Sequence, residues 1–237
     1  TSGIPIHDLA SGRSAEFRDH FLGTHFFNPP RYLRLLEVIP TVDTDPALVE
    51  FFCSFATHRL GKGVVLCKDT PNFVANRIGG ANHGFRMSFA LDNGYTVEEV
   101  DKIAGPLMGY PKTAVFRLLD LVGVDVVSIV SDNIADALPG DASGGRVEGY
   151  SGAVMKTLLD LNWLGNKTQV GFYKQISHAD GSNEFWVLDT EKMEHGPPGK
   201  VHFDSIGEVR KFDDLGERLR SWVQHDDRAA QYVWHTL

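Results

Sequence analysis

The pattern of apolar and polar residues near the start of the chain predicts two short β-strands. The segments GTHFF (23–27) and YLRLLEVI (32–39) are rich in aromatic and aliphatic residues and are joined through NPPR. Glu37 lies inside the second apolar run, where a carboxylate is costly unless a cation or a hydrogen-bond donor meets it. His25, twelve residues earlier, is the nearest histidine in sequence and the candidate partner.

An amphipathic helix and a third strand are predicted next. In DPALVEFFCSFATHRLGKG, Asp45 suits the N-cap, Pro46 the first helical position and Gly61 the C-terminal cap. The apolar residues of this segment recur with the helical period. GVVLCKD then has the pattern of a strand, so the chain up to Asp69 is typical of the last part of an α/β sheet domain.

After Asp69 the period of the apolar residues becomes helical. A helix is predicted from Pro71 to about Asn93, and a capping box from Thr96 to Glu99 opens another. The helical period continues to about residue 165 without a strand pattern. We therefore expect an all-helical region here and a mostly helical fold overall.

The later segments are less regular. LPGDASGGRVEGYSG (138–152) indicates a glycine-rich surface loop, and its position between two helices disfavours a phosphate-binding role. After GFYK comes a mixed stretch, followed by a predicted capping box from Ser205 to Glu208 and two short helices.

Composition limits the classes of partner. The 237 residues include 31 acidic and 23 basic residues without a basic cluster, and the net charge of -8 argues against nucleic acid or an anionic membrane as partner. No apolar run approaches the ~20 residues of a membrane span. The histidines lack metal-binding spacing, so no metal site is predicted. Cys53 and Cys67 lie in apolar stretches and indicate reduced thiols in a cytoplasmic protein.

His25 and Glu37 are the first candidates for chemistry. If the two strands pair, a carboxylate on one imidazole nitrogen fixes the tautomer and makes the other nitrogen a better base. That arrangement suits proton abstraction from a hydroxyl group. The same pair could instead be purely structural, or Glu37 could face solvent on an edge strand, and the spacing leaves these alternatives open.

Three further polar residues give weaker signals. Asn76, early in the long predicted helix, could donate to a substrate oxygen or simply pack on its helix neighbours. Lys167, in GNKTQVGFYK, is by itself a loop lysine. Ser2 lies too close to the start of the chain for its context to be interpreted.

Five motifs occur in the order found in one enzyme family. HFFNP, LLEVI, KDTPNFVANR, LLDLVGVD and GNKTQVGFYK together resemble the L-3-hydroxyacyl-CoA dehydrogenase family of fatty-acid β-oxidation. The resemblance implies a Rossmann NAD-binding domain, of which residues 1–69 are the C-terminal part. It implies that residues 70–175 form a dimerising helical domain similar to the C-terminal domain of 6-phosphogluconate dehydrogenase. Residues 176–237 resemble the connector and the start of a second helical copy in multifunctional proteins, which often include an enoyl-CoA hydratase.

The resemblance also implies an activity and the residues that carry it. The activity is NAD-dependent oxidation of (S)-3-hydroxyacyl-CoA to 3-oxoacyl-CoA, with His25 as the catalytic base and Glu37 as the partner of its imidazole. Asn76 matches the asparagine that binds the substrate oxygen, and Ser2 matches a serine that touches substrate and nicotinamide. The residues implied to contact NAD are Ser2, Asn28 and Lys167.

Some features differ from the family pattern. Asn72 stands where the family usually has glycine, and PKTAVF stands where it has a glycine–proline pair. The Gly-x-Gly-x-x-Gly fingerprint of dinucleotide binding is absent from the 237 residues. We therefore expect a piece of a longer protein that binds NAD weakly and is inactive in isolation. Two alternatives stay open: a related NAD-dependent hydroxyacid dehydrogenase, and a non-catalytic helical dimerisation fragment.

Overall fold

The computed structural model describes residues 3–140, 147–178 and 180–237, and these form two compact units. The first unit contains the described residues up to Gly80 together with 133–140. The second contains Ala81–Asp132 together with the described residues from 147 onward. The predicted glycine-rich loop lies partly, and Ser2 wholly, outside the described residues. Within the described ranges, the helices lack the length and apolar character needed to cross a membrane.

The first unit is built on a three-stranded sheet. Its strands lie in the order β1 (Leu22–Phe26), β2 (Leu35–Pro40) and β3 (Gly63–Leu66), with β1 and β2 antiparallel and β2 and β3 parallel. Its first three helices are α1 (Ile6–Ala10), α2 (Ala15–Asp19) and α3 (Pro46–His58). The three predicted strands and the predicted helix between β2 and β3 are confirmed. Helices α1 and α2 have no counterpart among the predicted elements.

Local signals set the start of α3. The Asp45 side chain accepts a hydrogen bond from the N–H of Ala47 at 2.8 Å, and Pro46 takes the first helical position, as predicted. The helix ends at His58 and its C-cap is Arg59, so the predicted cap at Gly61 is two residues too late; Gly61 follows with a φ of +65°. Buried side chains pack α3 against the sheet; they are Leu36, Val38 and Ala56.

The long helix α4 (Ala75–Asp92) begins four residues later than the sequence pattern predicts. Asn72 and Phe73 have φ values of +60° and +51°, which lie in the left-handed region that a right-handed helix excludes. These two residues form a turn that redirects the chain before the helix starts. The predicted start at Pro71 is therefore wrong.

The predicted helical region is confirmed. Its further helices are α5 (Val97–Ile103), α6 (Phe116–Val122), α7 (Val124–Ala137) and α8 (Gly149–Asp160). No strand occurs among the described residues of 70–164. The Thr96 hydroxyl accepts from the Glu99 N–H at 3.2 Å, and the Glu99 carboxylate accepts from the Thr96 N–H at 2.9 Å, so the predicted capping box is present.

Residues 173–237 add a second sheet and three short helices. The antiparallel strands are β4 (Tyr173–Ser177), β5 (Asn183–Asp189) and β6 (Glu194–Gly196), and the helices are α9 (Asp204–Val209), α10 (Leu215–Trp222) and α11 (Arg228–Thr236). Val187, Ile206 and Trp222 are buried in the same apolar cluster as Phe116 and Leu119 of α6. Within the second unit this segment therefore shares one core with the preceding helices.

The capping box predicted from Ser205 to Glu208 is wrong. Ser205 is the second residue of α9 and does not precede it. Its hydroxyl donates to the Asp227 carboxylate at 2.9 Å and accepts from the indole N–H of Trp222 at 2.9 Å. A tertiary contact therefore uses the oxygen that the local pattern assigned to capping.

A buried carboxylate in the second unit couples stability to pH. Asp120 on α6 is 2% exposed and accepts from the N–H groups of Phe172 at 2.9 Å and Tyr173 at 2.8 Å. Burial raises the pKa of Asp120 to about 6, because removal from water disfavours the charged form more than these bonds favour it. The folded unit therefore binds this proton more tightly than the unfolded chain does.

We expect the free energy of unfolding of the second unit to fall as pH rises from about 4 to about 6, by roughly 3 kcal/mol from this group. The folded state holds more protons than the unfolded chain across this interval, which gives the sign. Tryptophan fluorescence during urea unfolding measures the effect, since all four tryptophans lie in the second unit. Asp120→Asn should flatten the pH dependence, and an unchanged slope in that variant would contradict the assignment.

Candidate active site

The paired strands β1 and β2 bring His25 and Glu37 together. The two residues are direct partners in the antiparallel register, and Nδ1 of His25 lies 2.7 Å from Oε2 of Glu37. Side chains of directly opposite residues point to the same face of a sheet, so the short connection between the strands is enough to bring the pair into contact. The predicted hydrogen bond is confirmed.

Glu37 is fully buried and its oxygens have several donors. Oε1 accepts from the N–H groups of Val74 at 2.9 Å and Ala75 at 2.7 Å, and the thiol of Cys67 lies 3.6 Å away. Burial opposes ionisation, but the hydrogen bonds from Ala75, His25 and Val74 together outweigh it, so the pKa of Glu37 is lowered. The carboxylate is therefore ionised at neutral pH, and the alternative of a solvent-facing Glu37 is excluded.

The environment of His25 leaves one ring nitrogen available. The imidazole packs against the rings of Phe27 and Phe73, with centroid separations of 4.8 Å and 5.6 Å. Its side chain is 19% exposed, and Nε2 makes no hydrogen bond within the described part of the chain. An ionised Glu37 can only accept, so Nδ1 carries the proton and Nε2 keeps its lone pair. This geometry can take a proton from a bound hydroxyl group.

Asn76 and Asn28 lie in the same unit as the pair. Asn76 is the second residue of α4 and directly follows Ala75, whose N–H contacts Glu37. Its side chain is half-buried and has no hydrogen bond to the described residues. Asn28 is exposed, two residues beyond the end of β1, and precedes a cis proline, Pro29. The predicted roles of both asparagines stay predictions.

The predicted roles of Lys167 and Ser2 are not tested by the geometry of the first unit. Lys167 lies in the second unit, in a 3₁₀ turn (Asn166–Thr168), and its ammonium is paired with the Asp125 carboxylate. Ser2 is outside the described residues, so its predicted role also stays a prediction.

The sequence reading missed several groups around the pair. The N–H donors of Val74 and Ala75 are backbone groups without a residue-type signal. Asp69 ends the predicted third strand, and its carboxylate accepts from the N–H groups of Ile6 at 2.7 Å and His7 at 2.8 Å and so anchors α1. Among the described residues no group of three or more histidine, cysteine, aspartate and glutamate side chains is placed to hold a metal ion.

Family models match most of the chain. The model described as 3-hydroxyacyl-CoA dehydrogenase, NAD binding domain, matches residues 1–70, and the model described as 3-hydroxyacyl-CoA dehydrogenase, C-terminal domain, matches residues 73–175. A probable 3-hydroxyacyl-CoA dehydrogenase of Bacillus subtilis is 41% identical over 236 residues, which is 99% of this chain and 29% of that protein. Another of the same description from Deinococcus radiodurans is 46% identical over 185 residues, which is 78% of this chain and 52% of that protein.

Solved structures agree with these matches. Mycobacterium tuberculosis FadB2 superposes with a TM-score of 0.61 at 31% identity, over 73% of this chain and 58% of its own. The 3-hydroxybutyryl-CoA dehydrogenase of Escherichia coli gives a TM-score of 0.58 at 26% identity, over 78% of this chain and 42% of its own. The chain thus spans about half, or less, of the length of the curated relatives that it matches.

Proposed function

Because the chain belongs to the 3-hydroxyacyl-CoA dehydrogenase family, we propose that its protein oxidises (S)-3-hydroxyacyl-CoA to 3-oxoacyl-CoA in fatty-acid β-oxidation. The observation that carries the proposal is the 2.7 Å contact between His25 and a buried, ionised Glu37, with Nε2 of His25 left open. That arrangement is what proton removal from an alcohol requires.

The proton and the hydride leave the substrate by different routes. Nε2 of His25 takes the proton of the 3-hydroxyl group as the carbonyl forms at C3. The carboxylate of Glu37 stabilises the imidazolium that results, and such general-base assistance contributes roughly 10²–10⁴ in rate. Asn76 and Ser2 are proposed to hold the substrate oxygen.

NAD is the cofactor indicated by the matched NAD-binding domain, and when bound it accepts the hydride from C3. The residues of the first unit fit a ligand of this kind, since Nε2 of His25 and the exposed amide of Asn28 are polar groups near the end of β1. Asn28 and Lys167 are proposed as NAD contacts. For Lys167 this rests on the family resemblance, because its ammonium is paired with Asp125.

The proposal is tested by NADH formation in the intact protein. A 3-hydroxyacyl-CoA should be oxidised with saturation kinetics, while the corresponding free 3-hydroxy acid should be a poor substrate. A preference for the free acid would instead support a related hydroxyacid dehydrogenase. No turnover with any chain length of 3-hydroxyacyl-CoA would contradict the proposal.

Asn76→Ala should lower kcat by roughly 10²-fold, the usual effect of removing a donor to a reacting oxygen. The amide of Asn76 has no hydrogen bond to the described residues, so the substitution should leave the free energy of unfolding in urea nearly unchanged. Asn82→Ala, also half-buried on α4, is the matched control and should keep full activity. Unchanged kinetics in Asn76→Ala would contradict the binding role and indicate that Asn76 only packs on its helix neighbours.

We also propose a homodimer. Four aliphatic side chains of α6 and α7 are between 41% and 58% exposed in the second unit; they are Leu121, Val122, Val126 and Ile129. Exposed apolar side chains concentrated on neighbouring elements favour burial against another protein surface. Light scattering should give twice the chain mass, and a monomer at micromolar concentration would contradict this.

The remaining assignments rest on composition and resemblance. We propose the domain limits 1–69, 70–175 and 176–237, with a fused or associated enoyl-CoA hydratase as partner activity. A protein of Rickettsia prowazekii described as a putative fatty acid oxidation complex trifunctional enzyme is 32% identical over 212 residues, which supports a fusion of this kind. Cys53 and Cys67 are both free, which suits a reducing compartment, and we propose the cytoplasm.

A further inference from the structure

Two consecutive residues before α4 have left-handed backbone conformations. Asn72 has a φ of +60° and Phe73 a φ of +51°, in a region that side chains other than glycine and asparagine seldom adopt. A backbone hydrogen bond and the burial of the Phe73 ring stabilise the turn. The Phe73 N–H donates to the carbonyl oxygen of Thr70 at 3.0 Å, and its ring is 2% exposed in a cluster with Ile6, Ile39 and Cys67.

The turn determines where the next two N–H groups point. Those of Val74 and Ala75 both donate to Oε1 of Glu37, at 2.9 Å and 2.7 Å. If the helix had begun at Pro71, as the sequence pattern predicts, these two N–H groups would donate to carbonyl oxygens within the helix. They would then not be free to donate to Glu37. Because Asn72 and Phe73 are left-handed, the helix starts later, and the free N–H groups at its start point towards the carboxylate of Glu37.

The other groups near Glu37 cannot replace these donors. The thiol of Cys67 is 3.6 Å from Oε1 and also 3.6 Å from the carbonyl oxygen of Val65, so it is a weak donor with two acceptors. His25 occupies the second oxygen, Oε2. Without the two N–H groups, a buried carboxylate would be left with one strong partner and would lose its fixed orientation.

We infer that the Asn72–Phe73 turn is a positioning element of the active site, which holds one oxygen of Glu37 so that the other faces Nδ1 of His25. Asn72 acts through its backbone, because asparagine tolerates the left-handed region where most residues are strained. This inference rests on the proposed function for its kinetic consequences, but its structural content is independent of the substrate.

Three variants of the intact protein test it. Asn72→Ala strains the left-handed conformation and should lower kcat by roughly 10-fold, with KM for the acyl-CoA changed by less than about twofold. The loss should grow as pH is lowered from about 7 to about 5, because Glu37 is then less firmly held in its ionised form. Asn72→Gly, which adopts positive φ freely, should keep kcat within about twofold.

Asn162→Ala is the matched control. Asn162 has a φ of +56° in an exposed turn after α8, in the second unit. The same strain should lower stability there without any change in kcat or in the pH profile. A melting temperature lowered in Asn72→Ala with kcat and pH profile unchanged would overturn the inference. So would an Asn72→Gly variant as slow as Asn72→Ala, since the side chain would then matter and not the backbone.

A second substitution removes a donor directly. Ala75→Pro deletes the N–H that lies 2.7 Å from Oε1, at the first position of α4, where helices tolerate proline. It should reduce kcat at least as much as Asn72→Ala, while Ala15→Pro, at the first position of α2, should leave kcat unchanged. Full activity in a folded Ala75→Pro variant would overturn the inference.

The ¹⁵N chemical shifts of His25 separate this inference from the proposed function. In the wild type they should show a single tautomer with the proton on Nδ1, and Asn72→Ala should shift them towards a mixture. If no 3-hydroxyacyl-CoA is oxidised but this shift is seen, the proposed function fails and the positioning role stands. If the shifts of Asn72→Ala and the wild type are identical, the positioning role fails whatever the activity.

Discussion

Replacing Glu37 by glutamine should lower kcat by roughly 10²- to 10⁴-fold, although glutamate and glutamine side chains have the same shape. The N–H groups of Val74 and Ala75 require an acceptor at Oε1, so the amide oxygen must occupy that position. The amide NH₂ then faces Nδ1 of His25 and donates to it. The imidazole is forced to carry its proton on Nε2, and the lone pair that should take the substrate proton is lost.

The measurement is steady-state turnover of a 3-hydroxyacyl-CoA by the intact Glu37→Gln protein. KM should change little, because the effect falls on the transition state and not on the binding of the acyl-CoA. Glu50→Gln on the exposed face of α3 is the control for loss of a negative charge and should keep its kcat. If Glu37→Gln retains kcat within about threefold, the tautomer does not matter and the pair is structural.

The contact between His25 and Glu37 could be predicted because the information that sets it is local. Both strands have alternating or apolar patterns, and a short connection constrains their register. The apolar neighbours of Glu37 also indicated that it would need a partner. The same reasoning located α3, whose Asp45 and Pro46 signals act within one helical turn.

The donors to Glu37 could not be predicted in this way. Pro71 and the apolar residues after it favour an early helix start, and the left-handed conformation of Phe73 is stabilised by tertiary packing. The capping role predicted for Ser205 is wrong for a similar reason. Its hydroxyl forms hydrogen bonds with Asp227 and Trp222, which are distant in sequence. The strands of the second sheet could not be predicted, since most of their residues are partly exposed and weaken the alternating pattern.

Gly171→Ala should destabilise the second unit by about 3–5 kcal/mol. A Cβ at this position would lie 2.1 Å from Oδ1 of Asp120 and 2.7 Å from Cα of Gly165, so something must move. The Asp120 carboxylate is the flexible partner, and its displacement would break its bonds to the N–H groups of Phe172 and Tyr173. Buried donors and a buried carboxylate would then be left unpaired, which costs far more than the methyl group gains.

Urea unfolding followed by tryptophan fluorescence measures this loss in the unit that contains every tryptophan. Gly196→Ala is the matched control, because Gly196 lies in β6 of the same unit and a Cβ there meets nothing within 4 Å. That variant should stay within about 0.5 kcal/mol of the wild type. A Gly171→Ala protein as stable as Gly196→Ala would mean that the Asp120 carboxylate can leave its two donors at little cost. The carboxylate would then contribute neither to the core of this unit nor to the pH dependence expected from it.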